Sequence, residues 1–202
     1  MIARLPLSEQ LVEFRRVLSQ NETLIEVLSR VESMRLPNWY LTAGCLFQTV
    51  WNVQTGREPS AGIIDYDVFY FDDRDLSWDA ENLAIEAATK VFEGMDAEVE
   101  IRNEARVHLW YEEKFGVPLA PLESTEAAID NFASTTCCLG IRGVEGQPWR
   151  IYAPHGLSDV FNLVIRPNPV LAPHAVYQAK TARWKQQWPE LEVMPWPCPD
   201  AR

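Results

Sequence analysis

Asp65 and Asp67 stand two residues apart in a run, 63–71, whose other members are β-branched or aromatic. Such a run reads as a strand, and alternate side chains of a strand share a face. Two like charges side by side in an apolar strand are costly unless solvent or a cation neutralises them. A divalent cation that prefers oxygen ligands, magnesium above all, does this well. Glu100, flanked by Val99 and Ile101, is a third carboxylate of the same kind on a second predicted strand, 98–101. If the two strands are neighbours, the three acids converge. The bland alternative puts Asp65 and Asp67 at a solvated strand end. Glu98 alternates with Glu100, so spacing alone leaves open which of them faces inward. Asp72, Asp73 and Asp75 read as a solvated turn.

Other polar residues surround this acidic set. Gly44 precedes a predicted helix, 45–53, whose free N–H groups could take a phosphate, with Cys45 at its start. A plain strand-to-helix turn is the alternative. Arg102, Asn103 and Arg106 follow Glu100 and share helical faces, where they could reach phosphate or base; salt bridges are the alternative. His108 is offset from that face and reads as a structural hydrogen bonder. Thr135 and Thr136 could contact a ligand from a strand start. His155, Gly156 and Asp159 could form a binding loop, although Asp159 reads equally as a solvated or capping residue. No P-loop or dinucleotide-binding glycine motif occurs.

The elements that must position these residues follow from periodicity. Helices are expected over 7–19 and 22–35, the second with Leu24, Val27, Leu28 and Val31 inward. A short strand, 39–43, leads into the helix 45–53, which turns Leu46, Phe47 and Val50 inward. Ser77 caps a helix over 78–93 with Leu83, Ala87 and Val91 as its inner stripe. Further helices are expected over 103–115, 125–132 and 175–188, the last packed down by Trp184 and Trp188. Segments 136–142 and 149–152 read as a hairpin with Gly143 and Gly146 in its turn. The predicted class is α+β, a small mixed β-sheet flanked by helices. It forms one domain over 1–202, with N-terminal helices in 1–36, the acidic core in 37–115 and a hairpin with helices in 116–202.

Composition bounds the function. The net charge is −11 over 202 residues. Of 29 acidic residues 18 fall in the first 101, against 8 of the 18 basic ones, so the acidic half would repel a phosphate backbone and duplex nucleic acid is not an expected partner. No apolar run of about 18 residues suggests a membrane span, and the N-terminus lacks a signal-peptide core. A cytoplasmic location is expected. The four cysteines, Cys45, Cys137, Cys138 and Cys198, form no CxxC pair and read as buried reduced thiols.

Taken together, Thr42-Ala43-Gly44-Cys45, Asp65-Tyr66-Asp67-Val68 and Val99-Glu100-Ile101 resemble the polymerase-β-like nucleotidyltransferase superfamily. Its pattern is a glycine turn opening a helix, an acidic-x-acidic strand and one later acid. The blocks AGCLFQTVWN, DYDVFYFDDRDLSW, EIRNEARVHLWYEEKFG, IYAPHGLSDVFNLVIRPNP and AKTARWKQQWP look like a bacterial family of small nucleotidyltransferases. That resemblance favours Glu100 over Glu98. It implies the superfamily's fold, and transfer of a nucleoside monophosphate from a nucleoside triphosphate to a hydroxyl acceptor. Asp65, Asp67 and Glu100 would act with Mg2+ or Mn2+, and Gly44 and Cys45 would line the phosphate. Cys45 departs from the family's Gly or Ser at that place. The acidic surface makes a small molecule or a protein the expected acceptor. Two rivals stand beside this reading: a degenerate nucleotide-binding module and a metal-dependent phosphohydrolase using the same acids. Base preference and oligomeric state are not legible.

Overall fold

Residues 2–143 and 148–197 are described in a computed structural model. The expected turn residue Gly146 and the fourth cysteine, Cys198, lie outside them. Two amphipathic helices, α1 (Leu7–Leu18) and α2 (Glu22–Ser33), come first. Asn21 caps α2 by accepting the Leu24 amide, and its own amide donates to Thr49, which ties the helix pair to α3. The inward residues of α2 are Leu24, Val27, Leu28 and Val31, as the periodicity predicts.

β1 (Tyr40–Thr42) runs into α3 (Gly44–Gln54). α3 is buried on all sides from Gly44 to Asn52, because sheet, α1 and the C-terminal helix enclose it. β2 (Asp65–Tyr70), α4 (Trp78–Val91) and β3 (Glu98–Asn103) form a parallel crossover unit. Then come α5 (Tyr111–Phe115), α6 (Thr125–Asp130), β4 (Gly140–Arg142) and β5 (Arg150–Tyr152). The chain ends in α7 (Ser158–Phe161), β6 (Val164–Ile165), α8 (His174–Gln187) and β7 (Glu192–Val193).

Five strands make one mixed sheet in the order β3-β2-β1-β4-β5, with only β2 and β3 parallel. Leu41, Val68, Ile101 and Ile141 line its fully buried face. That face shares one hydrophobic cluster with α1, α2 and α3. At the far end, Trp184 and Trp188 of the α8 segment pack edge-on against Trp51 of α3 at 5.8 and 5.4 Å between ring centres. The Trp188 indole also donates to Asn52 at 2.8 Å. The α+β class with a mixed sheet between helices is therefore what forms.

Several local expectations differ. The helix expected over 103–115 is a 3-10 turn (Glu104–Leu109) followed by the short α5, because β3 runs on to Asn103. The strand expected from Thr136 begins only at Gly140, since Thr135–Cys137 form a 3-10 turn. In α4 the buried residues are Glu81 and Ala88, while Leu83 is exposed. The helix is rotated so that Glu81 meets the buried guanidinium of Arg106. The two-stranded pair β6-β7 was not foreseen, because its strands are two residues long and too short for a periodic signal. No helix among the described residues is long and apolar enough to cross a membrane.

Candidate active site

β2 presents Asp65 and Asp67 on the sheet face opposite Val68. The parallel register sets Glu100 beside Asp67 and Glu98 beside Asp65, so four carboxylates share that face. On the other flank Thr42 of β1 pairs with Asp67. The N-terminus of α3 follows two residues later, next to the acids. Its first amides have no intrahelical acceptor. Thr42 is itself buried and donates to the Leu139 carbonyl, which fixes the strand end.

The electrostatics show how crowded this corner is. Partial burial, then the charges of Asp65 and Glu100, push the half-buried Asp67 carboxyl up to about 7. Lys180 of α8 and Arg102 pull the other way. Lys180 is exposed and forms no ion pair among the described residues. Arg102 is held by Glu100 at 2.9 Å.

The donor set suits a hard divalent cation: oxygens only, with excess negative charge that nothing nearby fully offsets. Among the described residues no three acidic, cysteine or histidine side chains are gathered tightly enough to hold an ion as they stand. Glu100 is turned onto Arg102, and a rotation away from that pair would bring it toward Asp67. A cleft of about 330 Å³ between α4 and the edge of β3 reaches Glu100 and Arg102 but not the aspartates, which lie on the open face.

The turn before α3 holds an unusual backbone conformation. The backbone that favours glycine falls at Ala43, with φ 60° and ψ −138°, rather than at Gly44. A side chain held there costs about 1–3 kcal/mol. Ala43→Gly should raise the melting temperature by about 2–4 °C, part of the relief being offset by the freedom glycine gains when unfolded. A fall in melting temperature would show that the conformation is not strained. Cys45 is fully buried and its thiol donates to the Thr42 carbonyl at 3.2 Å. Burial and the two aspartates keep that thiol well above its usual range. Of the expected phosphate contacts at Cys45, then, only the backbone amide is available.

Asn103 and Arg106 need correcting as substrate contacts. The Asn103 side chain bonds Asp72 through both its oxygen and its nitrogen, and caps the turn at Ala105. Arg106 is buried against Glu81 and donates to the Leu76 carbonyl at 2.9 Å. Both hold the end of β3 against α4. Arg102 stays on the open face. His108 differs too: its buried Nδ1 meets no hydrogen-bond partner among the described residues. Thr135 and Thr136 bond the Arg166 backbone, and Asp159 pairs with the Arg166 side chain at 2.8 Å.

Two residues of this corner escaped the sequence reading. Lys180 lies 78 positions from Arg102 on a helix whose pattern gives no local sign of the site. Glu104 follows β3, and burial, then Asp67, push its carboxyl up to about 8. Its alternation with Glu98, Glu100 and Arg102 was the available signal, hidden because the segment read as helix.

The comparisons with known proteins fit this geometry. A family model described as nucleotidyltransferase matches residues 29–193. A search of curated proteins finds no match. A solved structure, described as an NMR structure that reveals a CCA-adding enzyme head domain, is 22% identical. It superposes with a TM-score of 0.72, covering 97% of this chain and 100% of that one. At that identity the likeness speaks for the fold. The family match spans most of the chain and includes the strands that carry Asp65, Asp67 and Glu100, and by it this protein belongs to a nucleotidyltransferase family.

Proposed function

We propose that the protein transfers a nucleoside monophosphate from a nucleoside triphosphate, in a magnesium-dependent reaction, to a hydroxyl on a small molecule or a protein. The observation that carries this reading is the parallel pairing that sets Glu100 beside Asp67, with Asp65 on the same face. Asp65 and Asp67 would hold the cation, and Glu100 would join them or take the acceptor's proton. The bound metal would supply charge that stabilises both the attacking and the leaving oxygen. Arg102 and Lys180, with the first amides of α3 at Gly44 and Cys45, would orient the triphosphate. The acceptor oxygen forms a bond to the α-phosphorus as the bond to the β-phosphate's bridging oxygen breaks, and pyrophosphate leaves. The net charge of −11 supports an acceptor that is not a long nucleic acid.

The test is turnover of α-labelled nucleoside triphosphates with magnesium and candidate hydroxyl acceptors. Label on the acceptor with pyrophosphate released supports the reading. Inorganic phosphate with no adduct supports a phosphohydrolase, and binding without turnover supports a degenerate module. Lys180→Met should raise KM for the triphosphate about 10-fold, the effect of one charge-assisted contact, and change kcat less. An unchanged KM would remove Lys180 from the triphosphate's path.

A further inference from the structure

α8 lies antiparallel along α3. Trp188 packs against Trp51 and donates to Asn52, near the end of α3. One turn earlier in α8, Trp184 meets Phe47 at 5.1 Å, one turn nearer the start of α3. A further turn in the same direction brings Lys180 level with Gly44, two residues after the Thr42 that pairs with Asp67. Lys180, Arg183 and Gln187 share one flank of α8, beside the buried stripe of Tyr177, Thr181 and Trp184. That flank faces the chain entering β2. The Gln187 amide donates to the Ala61 carbonyl at 3.4 Å, and a side-chain carbon at Gly62 would collide with it. From Gly62 the chain reaches Asp65 in three residues, at most about 10 Å. From Gln187 the helix returns to Lys180 in seven, about 10.5 Å. Helical side chains lean toward the helix N-terminus, which here is toward the acids. Arg183 therefore stands one turn behind Lys180 on the flank that leads to Asp65 and Asp67.

The two sides of the acid pair differ in charge. The β3 side carries Glu98 and Glu100, and its cation, Arg102, is engaged by Glu100 at 2.9 Å. The α8 side carries Lys180 and Arg183, both exposed and without an ion pair or hydrogen bond among the described residues. With the α-phosphate over Asp65 and Asp67, the outer phosphates are repelled on the β3 side and attracted on the α8 side. Residues three apart on a helix have Cβ atoms about 5–6 Å apart, close enough to take adjacent phosphates. A guanidinium presents several donors in one plane, which suits a phosphate with more than one free oxygen.

We infer that Arg183 is a further substrate-binding residue, which joins Lys180 in holding the β- and γ-phosphates, so that pyrophosphate leaves along α8 while the acceptor approaches from the β3 side. This rests on the nucleotidyl-transfer reading. The test is equilibrium binding, with magnesium and at fixed ionic strength, of the best-bound of the four ribonucleoside triphosphates, its monophosphate and inorganic pyrophosphate. The proteins compared are the wild type, Arg183→Met and Arg183→Lys, each checked for folding by thermal unfolding. Arg183→Met should weaken the triphosphate and pyrophosphate about 10-fold each and leave the monophosphate unchanged. Arg183→Lys, which keeps the charge but not the planar donors, should recover part of the loss. In turnover, Arg183→Met should raise KM for the triphosphate and weaken product inhibition by pyrophosphate by the same factor. Unchanged triphosphate and pyrophosphate affinities in Arg183→Met, with the wild type still turning over, would overturn the inference and leave the reaction intact. An equal loss for the monophosphate would also overturn it, as a general disturbance of the site. Failure of the wild type to bind any triphosphate would remove the reaction and the inference together.

Discussion

Asp67→Asn should lower metal-dependent turnover by about 10³-fold or more and, in the same molecule, raise the stability of the metal-free protein. The first effect follows from the position of Asp67, flanked by Asp65 on its own strand and Glu100 on the next. Removing one charge aimed at the place where charge develops in a transition state is severe. The second follows from the carboxyl pushed up to about 7 in the folded chain, against an ordinary value of 3.8. Between those two values the folded state binds a proton that the unfolded state has released. Stability therefore falls as pH rises from about 4 to about 7, and stays at the lower level above that. Asparagine has no such penalty. With partial exposure discounted, the variant should gain about 1–3 kcal/mol at pH 8, or several degrees in melting temperature. The gap should vanish near pH 4. Added magnesium should stabilise the wild type more than the variant, because the ion binds the folded state. A variant that is less stable than wild type at pH 8, without metal, would contradict the electrostatic account.

Arg106→Met should be the most damaging single change to stability. The guanidinium is buried with Glu81, and it also meets the Leu76 carbonyl and lies 5.8 Å from the Trp78 ring. The variant leaves Glu81 buried with one donor, the Asn103 amide. Breaking one partner of a buried pair costs about 3–5 kcal/mol, which corresponds to a loss of about 6–20 °C in melting temperature. Glu81→Gln in the same background should recover part of the loss, since it removes the stranded charge. If Arg106→Met instead left the melting temperature unchanged and weakened nucleotide binding, Arg106 would be a substrate contact after all.

Much of this fold was legible because its signals are local. The apolar spacing of α2, the Ser77 cap of α4 and the alternation of β2 each lie within one element. Asp65 and Asp67 were legible for the same reason: charge in an otherwise apolar strand marks itself. Whether Glu100 faced the pair was not a local property. It depends on β2 and β3 pairing in parallel, which the α4 crossover enforces. The stretch 103–115 misled because Arg102, Asn103 and Arg106 sit at helical spacing, whereas the Glu81–Arg106 pair holds the segment as a 3-10 turn. The sequence marks the turn before α3 only by Gly44, yet the positive φ that glycine usually bears does not fall on it. Here the chain imposes that conformation on Ala43. Lys180 could not be found without the packing of α8.

The central claim is that Asp65, Asp67 and Glu100 share one cation. Manganese binding followed by electron paramagnetic resonance, with a nucleoside triphosphate present, tests it most directly. The wild type should show a protein-bound Mn2+ signal that Asp65→Asn, Asp67→Asn and Glu100→Gln each weaken strongly, with all three proteins still folded. A signal of equal strength in the triple variant would contradict the account and assign the ion to the nucleotide alone.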